Sequence, residues 1–232
     1  MVQTAPTTPA SPARSGKNYE VGADGQWRTL AAPASSLLRR FPQRRSYRLY
    51  RFLSDLEDLV DNISHDRDRL RIGAVLLRRL VEACDWLTDA CPTPDPSLGW
   101  AVHFLYDEPG YPFTVQLVSW LPQQRSPIHN HAAWGLVMLL GDPATAGREE
   151  NHFWQRTDDD TMDGKATLQE VSQVTLHPGD LIGFTPTAIH QVRAIEANRL
   201  DPQPTFTVNV YGKTDFNQRF TFDPLQQSCQ LF

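Results

Sequence analysis

The fold of this 232-residue chain is decided by one stretch, SPIHNHAAWGLVMLLG at residues 126–141. In a β-strand, side chains two residues apart point to the same face, so His129 and His131 are expected to project together. The apolar run that follows is short and ends at Gly141, which is typical of a strand that closes in a turn. The stretch therefore predicts a histidine pair within a region of short strands.

A third histidine lies far downstream, at the end of the sequence TPTAIH at residues 185–190. A fold that brings His190 beside the pair completes a three-imidazole set on one side of a metal ion. Such a facial set leaves coordination positions open for a substrate and for dioxygen, which oxygen-activating iron requires. We therefore predict that His129, His131 and His190 are metal ligands.

The chain after Gly99 is typical of an all-β fold. Short apolar or alternating runs recur there, separated by Gly, Pro and Asp. They predict strands at residues 100–106, 113–120, 135–140, 151–155, 181–184, 190–195 and 205–211. Many short strands with frequent turn signals favour a β-sandwich or a β-barrel.

The chain before Gly99 divides into a tail and a helical segment. Residues 46–63 and 69–88 each place apolar residues at three- and four-residue steps, which predicts two amphipathic helices, and prolines at 91–96 end the helical region. The N-terminus is rich in Pro, Thr, Ala and Ser and lacks the hydrophobic region of a signal peptide. We predict a disordered tail at 1–27, a helical segment packed on the barrel at 28–96, and a β-barrel with the metal site at 97–232.

The composition excludes several classes of function. The net charge of −5 and the pI near 5.8 disfavour a nucleic-acid-binding surface, which needs clustered Lys and Arg. No stretch approaches the roughly 20 apolar residues of a membrane span. The three cysteines form no disulfide framework, so we expect a cytoplasmic protein.

Two segments resemble the motifs of the cupin superfamily. The run PIHNHAAWGL at 127–136 resembles the first motif, in which a His-x-His pair opens a strand that ends at a glycine. The segment from Pro178 to His190 resembles the second motif, which supplies the third histidine. In this segment Ala188 stands at the usual glycine, one residue is missing before His190, and the usual later Asn is absent. The resemblance implies a mainly β fold, a cupin double-stranded β-helix barrel of the jelly-roll type with an N-terminal helical segment.

The metal ligands narrow the resemblance to one group of cupins. Most metal cupins place a glutamate a few residues after the second histidine, but residues 132–136 contain no carboxylate. Glu149 and Glu150 lie beyond the loop at 141–147 and are interpreted as a polar strand start. A three-histidine set is what the thiol dioxygenases use, and the run around the histidine pair resembles bacterial 3-mercaptopropionate dioxygenase and, more distantly, cysteine dioxygenase. Gly135 falls where the mammalian cysteine enzyme has the cysteine of its Cys–Tyr crosslink.

The resemblance implies an oxidoreductase that binds Fe(II) and oxidises a small thiol carboxylate, such as cysteine or 3-mercaptopropionate, to its sulfinate with O2. Its partners would be the thiol and O2, and the family is often monomeric. A Ser-x-His-x-Tyr relay on a late strand of the family is matched here by Thr207, Asn209 and Tyr211, which alternation places on one face. Asn209 cannot carry a proton as an imidazole does, whereas Tyr211 can donate a hydrogen bond to oxygen or substrate.

The carboxylate of such a substrate requires a cation, and an arginine suits it because its fork binds two oxygens at once. Arg125 lies four residues before His129, so a period of two predicts it on the ligand face. Arg219 resembles the arginine that the mercaptopropionate enzymes use. The sequence ranks the two arginines equally, and Trp134 is predicted to form part of the pocket wall.

Two other functions stay open at this point. A cupin that holds Zn or Mn would act as a Lewis acid in isomerisation or hydrolysis. A non-catalytic cupin would bind a small molecule, having lost activity when the relay histidine became Asn209. Metal content and thiol-dependent oxygen uptake distinguish both from a dioxygenase.

Overall fold

The secondary structure consists of short strands preceded by helices, as the computed structural model shows for residues 16–43, 46–198, 200 and 202–232. The helices of this described part are α1 (Ser35–Leu38), α2 (Leu49–Asn62), α3 (Asp66–Ala83) and α4 (Trp86–Asp89). Its strands are β1 (Asn18–Val21), β2 (Trp27–Thr29), β3 (Trp100–Tyr106), β4 (Phe113–Trp120), β5 (Ile128–Asn130), β6 (Gly135–Leu140), β7 (Arg148–Arg156), β8 (Leu168–Leu176), β9 (Leu181–Phe184), β10 (Ile189–Ile195), β11 (Thr205–Gly212), β12 (Phe220–Asp223) and β13 (Ser228–Leu231).

Two sheets supply the walls of the barrel. The larger sheet has the strand order β2-β1-β9-β6-β11-β4-β3, and the smaller has the order β13-β12-β5-β10-β7-β8. Neighbouring strands are often far apart in the chain, as β6 and β11 are, which is the arrangement of a jelly-roll or double-stranded β-helix. The predicted fold class, a mainly β fold of the jelly-roll type with helices at its N-terminal end, is confirmed.

Alternation along the strands divides the apolar core into two layers. In β6, Leu136 and Met138 belong to the layer shared with the helices, whereas Val137 and Leu139 belong to the layer between the sheets. A strand covered on both faces has an unbroken apolar sequence, which explains why β6 reads GLVMLL. The positions of β11 that face the interior carry polar residues instead, so the interior is polar beside this strand.

The helices cover the outer face of the larger sheet. α2 buries Phe52, Leu56 and Leu59, which recur at the spacing of one helix face. A Cβ at Gly73 of α3 would lie 2.7 Å from Leu136 Cδ1, so the glycine lets α3 approach β6. No helix in the described ranges combines the length and the apolar character needed to cross a membrane.

The helix predictions agree with the structure in place and differ in detail. The helix predicted at 46–63 is α2, and the one predicted at 69–88 is α3 followed by the short α4. The chain bends between them at Cys84, whose ψ of 77° is not helical. The division of the chain into a tail, a helical segment and a barrel as separate domains stays a prediction.

The N-terminal segment corrects the predicted tail. Residues 1–15 lie outside the described residues, but β1 falls within the predicted tail and pairs in parallel with β9. The Arg78 guanidinium donates hydrogen bonds to Asn18 Oδ1 at 2.8 Å and to the backbone oxygens of Gly16 and Gly179, each at 3.0 Å. The tail prediction is therefore wrong for β1, because pairing with a distant strand and a partly buried cation stabilises a segment whose local composition does not suggest structure.

Replacing Arg78 by Ala is expected to lower the free energy of unfolding by about 2 to 3 kcal/mol, because hydrogen bonds from a charged donor are each worth roughly 1.5–3 kcal/mol. Urea denaturation measures the change. The control is Arg71→Ala on the same helix, whose surface ion pair with Asp68 is worth about 0.5 kcal/mol. Equal losses in the two variants would contradict the anchoring of β1 by Arg78.

Candidate metal centre

The structure brings the three predicted imidazoles together. His129 in β5 lies directly opposite His190 in β10, and His131 follows one residue after the end of β5. The ligand nitrogens of the three rings all lie within 4.8 Å of one another, and the Nε2 atoms of His131 and His190 are 3.0 Å apart. Ala132, next along the chain, has a φ of +49°, a left-handed conformation that turns the chain out of β5. The group has the spacing of ligands around one metal ion.

Backbone and amide oxygens orient two of the rings. The Nδ1 atom of His129 lies 2.9 Å from Pro127 O, and the Nδ1 atom of His190 lies 3.3 Å from Asn151 Oδ1. An acceptor at Nδ1 favours the tautomer with its proton on that atom, which leaves the Nε2 lone pair free for a metal. The donor chemistry of the set therefore fits a divalent ion.

The protein keeps all three imidazoles neutral. Burial lowers the pKa of His129 to about 4, and the positive charge of Arg219 contributes to this lowering. Burial also holds the pKa values of His131 and His190 well below the usual range, and the neighbouring histidines add to the effect. Neutral imidazole is the form that binds metals, so the site is ready to bind one at pH 7.

Aromatic side chains surround the three histidines. Tyr211 stacks on His131 with ring centroids 4.5 Å apart, and Phe184 packs on His190 at 4.4 Å. Among the residues that the structure describes, no carboxylate joins the histidine group. The candidate centre is therefore a neutral, largely apolar site rather than a three-histidine, one-glutamate site.

The predicted relay residues lie on the strand beside the centre. Thr207, Asn209 and Tyr211 occupy alternate positions of β11, and Asn209 Nδ2 donates a hydrogen bond to Tyr211 Oη at 3.5 Å. The Oδ1 atom of Asn209 is buried without a partner among the described residues. Burial raises the pKa of Tyr211 above its usual value, and the charge of Glu149 adds to this shift. Tyr211 is consequently a protonated hydrogen-bond donor at neutral pH.

Gly135 lies directly opposite Tyr211 in the register of β6 and β11. A Cβ at this glycine would meet the tyrosine ring, 2.6 Å from Cδ1 and 2.8 Å from Cε1. Glycine is thus required for the ring to occupy this position.

The two candidate arginines differ in their surroundings. Arg219 precedes β12, and its charge acts on both His129 and His131. Its Nε atom is buried without a partner, and no carboxylate of the described residues forms an ion pair with it. Arg125 is exposed instead and lies opposite Arg193, so the structure does not bring it to the centre. The period of two fails here because Pro127 interrupts the strand between Arg125 and His129.

Trp134 is not brought to the histidines either. It is 4% exposed and belongs to the layer between the larger sheet and the helices. A Cβ at Gly212 would lie 2.3 Å from Trp134 Nε1, which shows how closely the indole packs on the end of β11. Trp134 also lines a cavity of about 300 Å³ with Ala133, Pro186 and Lys213. Its predicted role in the wall of a substrate pocket stays a prediction.

Glu149 differs from its interpretation as a polar strand start. It is 2% exposed, and burial raises the pKa of its carboxyl to about 7. Asn151, two residues later, contacts His190, so alternation places both side chains on the interior face of β7. Glu150 points outward and accepts a hydrogen bond from His152 Nε2 at 2.9 Å. The alternation of Glu149, Asn151 and Phe153 in the sequence is the signal that would have identified the interior face.

Comparisons with known proteins found remote similarity to solved structures. No family model matches the chain. Oxalate oxidase in complex with glycolate is 14% identical, with 55% of this chain and 57% of that chain covered and a TM-score of 0.40. A cupin superfamily protein from Desulfitobacterium hafniense DCB-2 is 13% identical, with 56% and 88% covered and a TM-score of 0.37.

The polyketide cyclase RemF from Streptomyces resistomycificus is 16% identical, with 49% of this chain and 65% of that chain covered and a TM-score of 0.32. The match to oxalate oxidase spans little more than half of the length of that chain. Similarity at this level identifies neither a family nor a substrate for this chain.

The substitution Glu149→Gln is expected to reduce the pH dependence of stability in the metal-free protein. The folded-state pKa near 7 exceeds the unfolded value near 4.5, so the stabilisation is complete below pH 4.5 and is lost as the pH rises to 7. The difference of about 2.5 pH units corresponds to about 3 kcal/mol of stability. The Gln side chain does not titrate, so the variant should not lose this stability as the pH rises. Urea denaturation across pH 4.5 to 7.5 measures it, with Glu82→Gln on the exposed side of α3 as the control. Identical slopes in the Glu149 variant and the native chain would refute the assignment.

Proposed function

We propose that the protein is an iron-dependent thiol dioxygenase, which oxidises a small thiol carboxylate to its sulfinate with O2. The observation that carries this proposal is a neutral set of three imidazoles close to the Arg219 guanidinium, whose buried Nε has no partner among the described residues. Fe(II) bound by His129, His131 and His190 would supply the site at which the thiol and O2 react. The neutral ligands leave the positive charge of the ion to be offset by a thiolate, which metals stabilise.

Arg219 is the residue that we assign to the substrate carboxylate. Burial lowers the pKa of its guanidinium, which shows that the cation is partly removed from water without an acidic partner in the described ranges. A partly desolvated guanidinium gains more from a carboxylate than an exposed one does, and its fork can bind both oxygens. The exposed Arg125 has no comparable need for an anion.

Tyr211 and Asn209 would orient groups at the centre rather than relay a proton. The amide of Asn209 donates to Tyr211 Oη, so the tyrosine hydroxyl proton stays available for another acceptor. The stacking of Tyr211 on His131 fixes the ring beside the ligand set. We infer that Tyr211 donates a hydrogen bond to the substrate or to oxygen, and that Thr207 supports the same face of β11.

A Zn or Mn cupin with Lewis-acid chemistry is the alternative enzyme, since neutral imidazoles also bind these metals. A non-catalytic binding cupin is the alternative outside enzymes. Iron content near one ion per chain together with thiol-dependent oxygen uptake favours the dioxygenase. Zinc without oxygen uptake favours the alternative enzyme, and binding without turnover favours the binding protein.

The variant His190→Ala is expected to lose nearly all bound iron, because two imidazoles hold a divalent ion far less tightly than three. Metal analysis after anaerobic loading and desalting measures iron per chain. Asn209→His is the companion variant, since it changes a neighbouring residue outside the ligand set, and it should retain iron and raise turnover. His177→Ala, an exposed histidine, should behave as the native chain. Full iron content in the His190 variant would rule out the assigned ligand set.

The variant Arg219→Ala is expected to raise the KM for 3-mercaptopropionate by roughly 10- to 100-fold, because it removes charge-assisted hydrogen bonds worth about 1.5–3 kcal/mol. Oxygen uptake with a panel of thiols measures this effect, and the sulfinate product is identified in parallel. The KM for cysteamine, which has no carboxylate, should change little. Arg125→Ala should leave both values unaltered, and an effect at Arg125 in place of Arg219 would exchange the two roles.

A further inference from the structure

Phe232 lies against the two groups that the proposed reaction requires. Its ring centroid is 4.3 Å from Cζ of Arg219 and 5.7 Å from the ring centroid of His129. Its backbone N–H donates to Arg219 O at 2.9 Å, so the contact is fixed by the backbone as well as by the side chains. The Phe232 ring thus lies against both the candidate metal ligand His129 and the Arg219 guanidinium.

The strand pairing explains why these three residues meet. β13 pairs with β12 so that Phe220 lies opposite Leu231, which brings Arg219 level with Phe232 at the end of the ladder. β12 in turn pairs with β5, with Thr221 opposite His129. The row of three neighbouring strands brings Phe232, Arg219 and His129 to one face of the smaller sheet.

The geometry of the pair restricts what Arg219 can bind. An aromatic ring over a guanidinium attracts the cation and covers one of its faces. The N–H donors of the guanidinium point outward in its own plane, where a ring above that plane leaves them free. The buried Nε atom has no partner among the described residues, so the plane still lacks an acceptor. A guanidinium that is held against a ring and has no ion-pair partner among the described residues is preorganised for a carboxylate.

We infer that Phe232 is a positioning residue that holds the Arg219 fork toward the centre and so determines the preference for thiols that carry a carboxylate. This inference rests on the proposed function and adds a residue to its substrate site. Phe232 is 49% exposed, so part of its ring faces solvent while the ring also lies against Arg219. The ring acts through Arg219 and takes no part in the reaction itself.

Oxygen uptake by Phe232→Ala tests the inference with two thiols. The KM for 3-mercaptopropionate should rise by about 2- to 30-fold, the range that loss of a cation–π contact allows, with kcat nearly unchanged. The KM for cysteamine, which has no carboxylate, should stay within about twofold of the native value. Phe232→Trp restores a ring over the guanidinium and should return the KM for 3-mercaptopropionate close to the native value.

Leu231→Ala is the matched control, because Leu231 is the neighbouring residue, is 61% exposed and has no ring contact with Arg219. It should leave both KM values unaltered. A merely structural role of Phe232 would raise the KM for both thiols or lower the iron content, and either result overturns the inference. Native KM values in Phe232→Ala overturn it as well.

Calorimetry separates this inference from the proposed function. Anaerobic iron-loaded protein is titrated with 3-mercaptopropionate, so that binding is measured without turnover. Weaker binding to Phe232→Ala than to the native chain, by a similar factor, supports the inference even if no thiol is oxidised. Equal binding, or no binding to the native chain, overturns it. Failure of the native chain to consume O2 with any thiol counts against the dioxygenase alone.

Discussion

The antiparallel register of β5 and β10 is the constraint on which the candidate centre depends. It places His190 opposite His129, and these two residues stand 61 positions apart in the chain. A slip of one residue would turn an imidazole to the other face of the sheet, because side chains alternate along a strand. Two hydrogen bonds from β10 to Ser126 fix this register. Ser126 Oγ accepts one from Val192 N at 3.0 Å, and its backbone O accepts one from Gln191 Nε2 at 2.9 Å.

The electrostatic character of the centre follows from this placement. Three imidazoles inside the barrel lose their hydration and stay neutral, and the positive charge of Arg219 favours the same state for His129. A divalent ion at this point would meet no negative ligand from the described chain. The proposed function places two anions there, a thiolate at the ion and a carboxylate at Arg219. Phe232 lies near both positions, because its ring contacts the Arg219 guanidinium and also lies beside the His129 ring.

Local patterns in the sequence predicted the parts of the structure that depend on local geometry. The His-x-His spacing and the alternation of Thr207, Asn209 and Tyr211 are properties of single strands, and the structure agrees with both. The close contact of Gly135 with Tyr211 was not predicted, because it depends on the pairing of β6 with β11.

The parts that were missed depend on contacts between distant segments. β1 is four residues long and is held by Arg78 from another element. β8 alternates polar and apolar residues weakly, and β12 and β13 are short, so none of the three was predicted. The position of Phe232 follows from these last two strands and could not be inferred without them. The prediction that Arg125 lies on the ligand face does not match the structure for a related reason, because Pro127 interrupts the strand between Arg125 and His129.

X-ray absorption at the iron edge tests whether three neutral imidazoles hold one ferrous ion without an acidic ligand. The anaerobic iron-loaded protein is measured before and after addition of 3-mercaptopropionate. We expect scattering from three imidazole rings before the thiol is added and a sulfur neighbour of the iron afterwards. Fewer than three imidazoles, a carboxylate from the protein among the ligands, or no sulfur after addition of the thiol would contradict it.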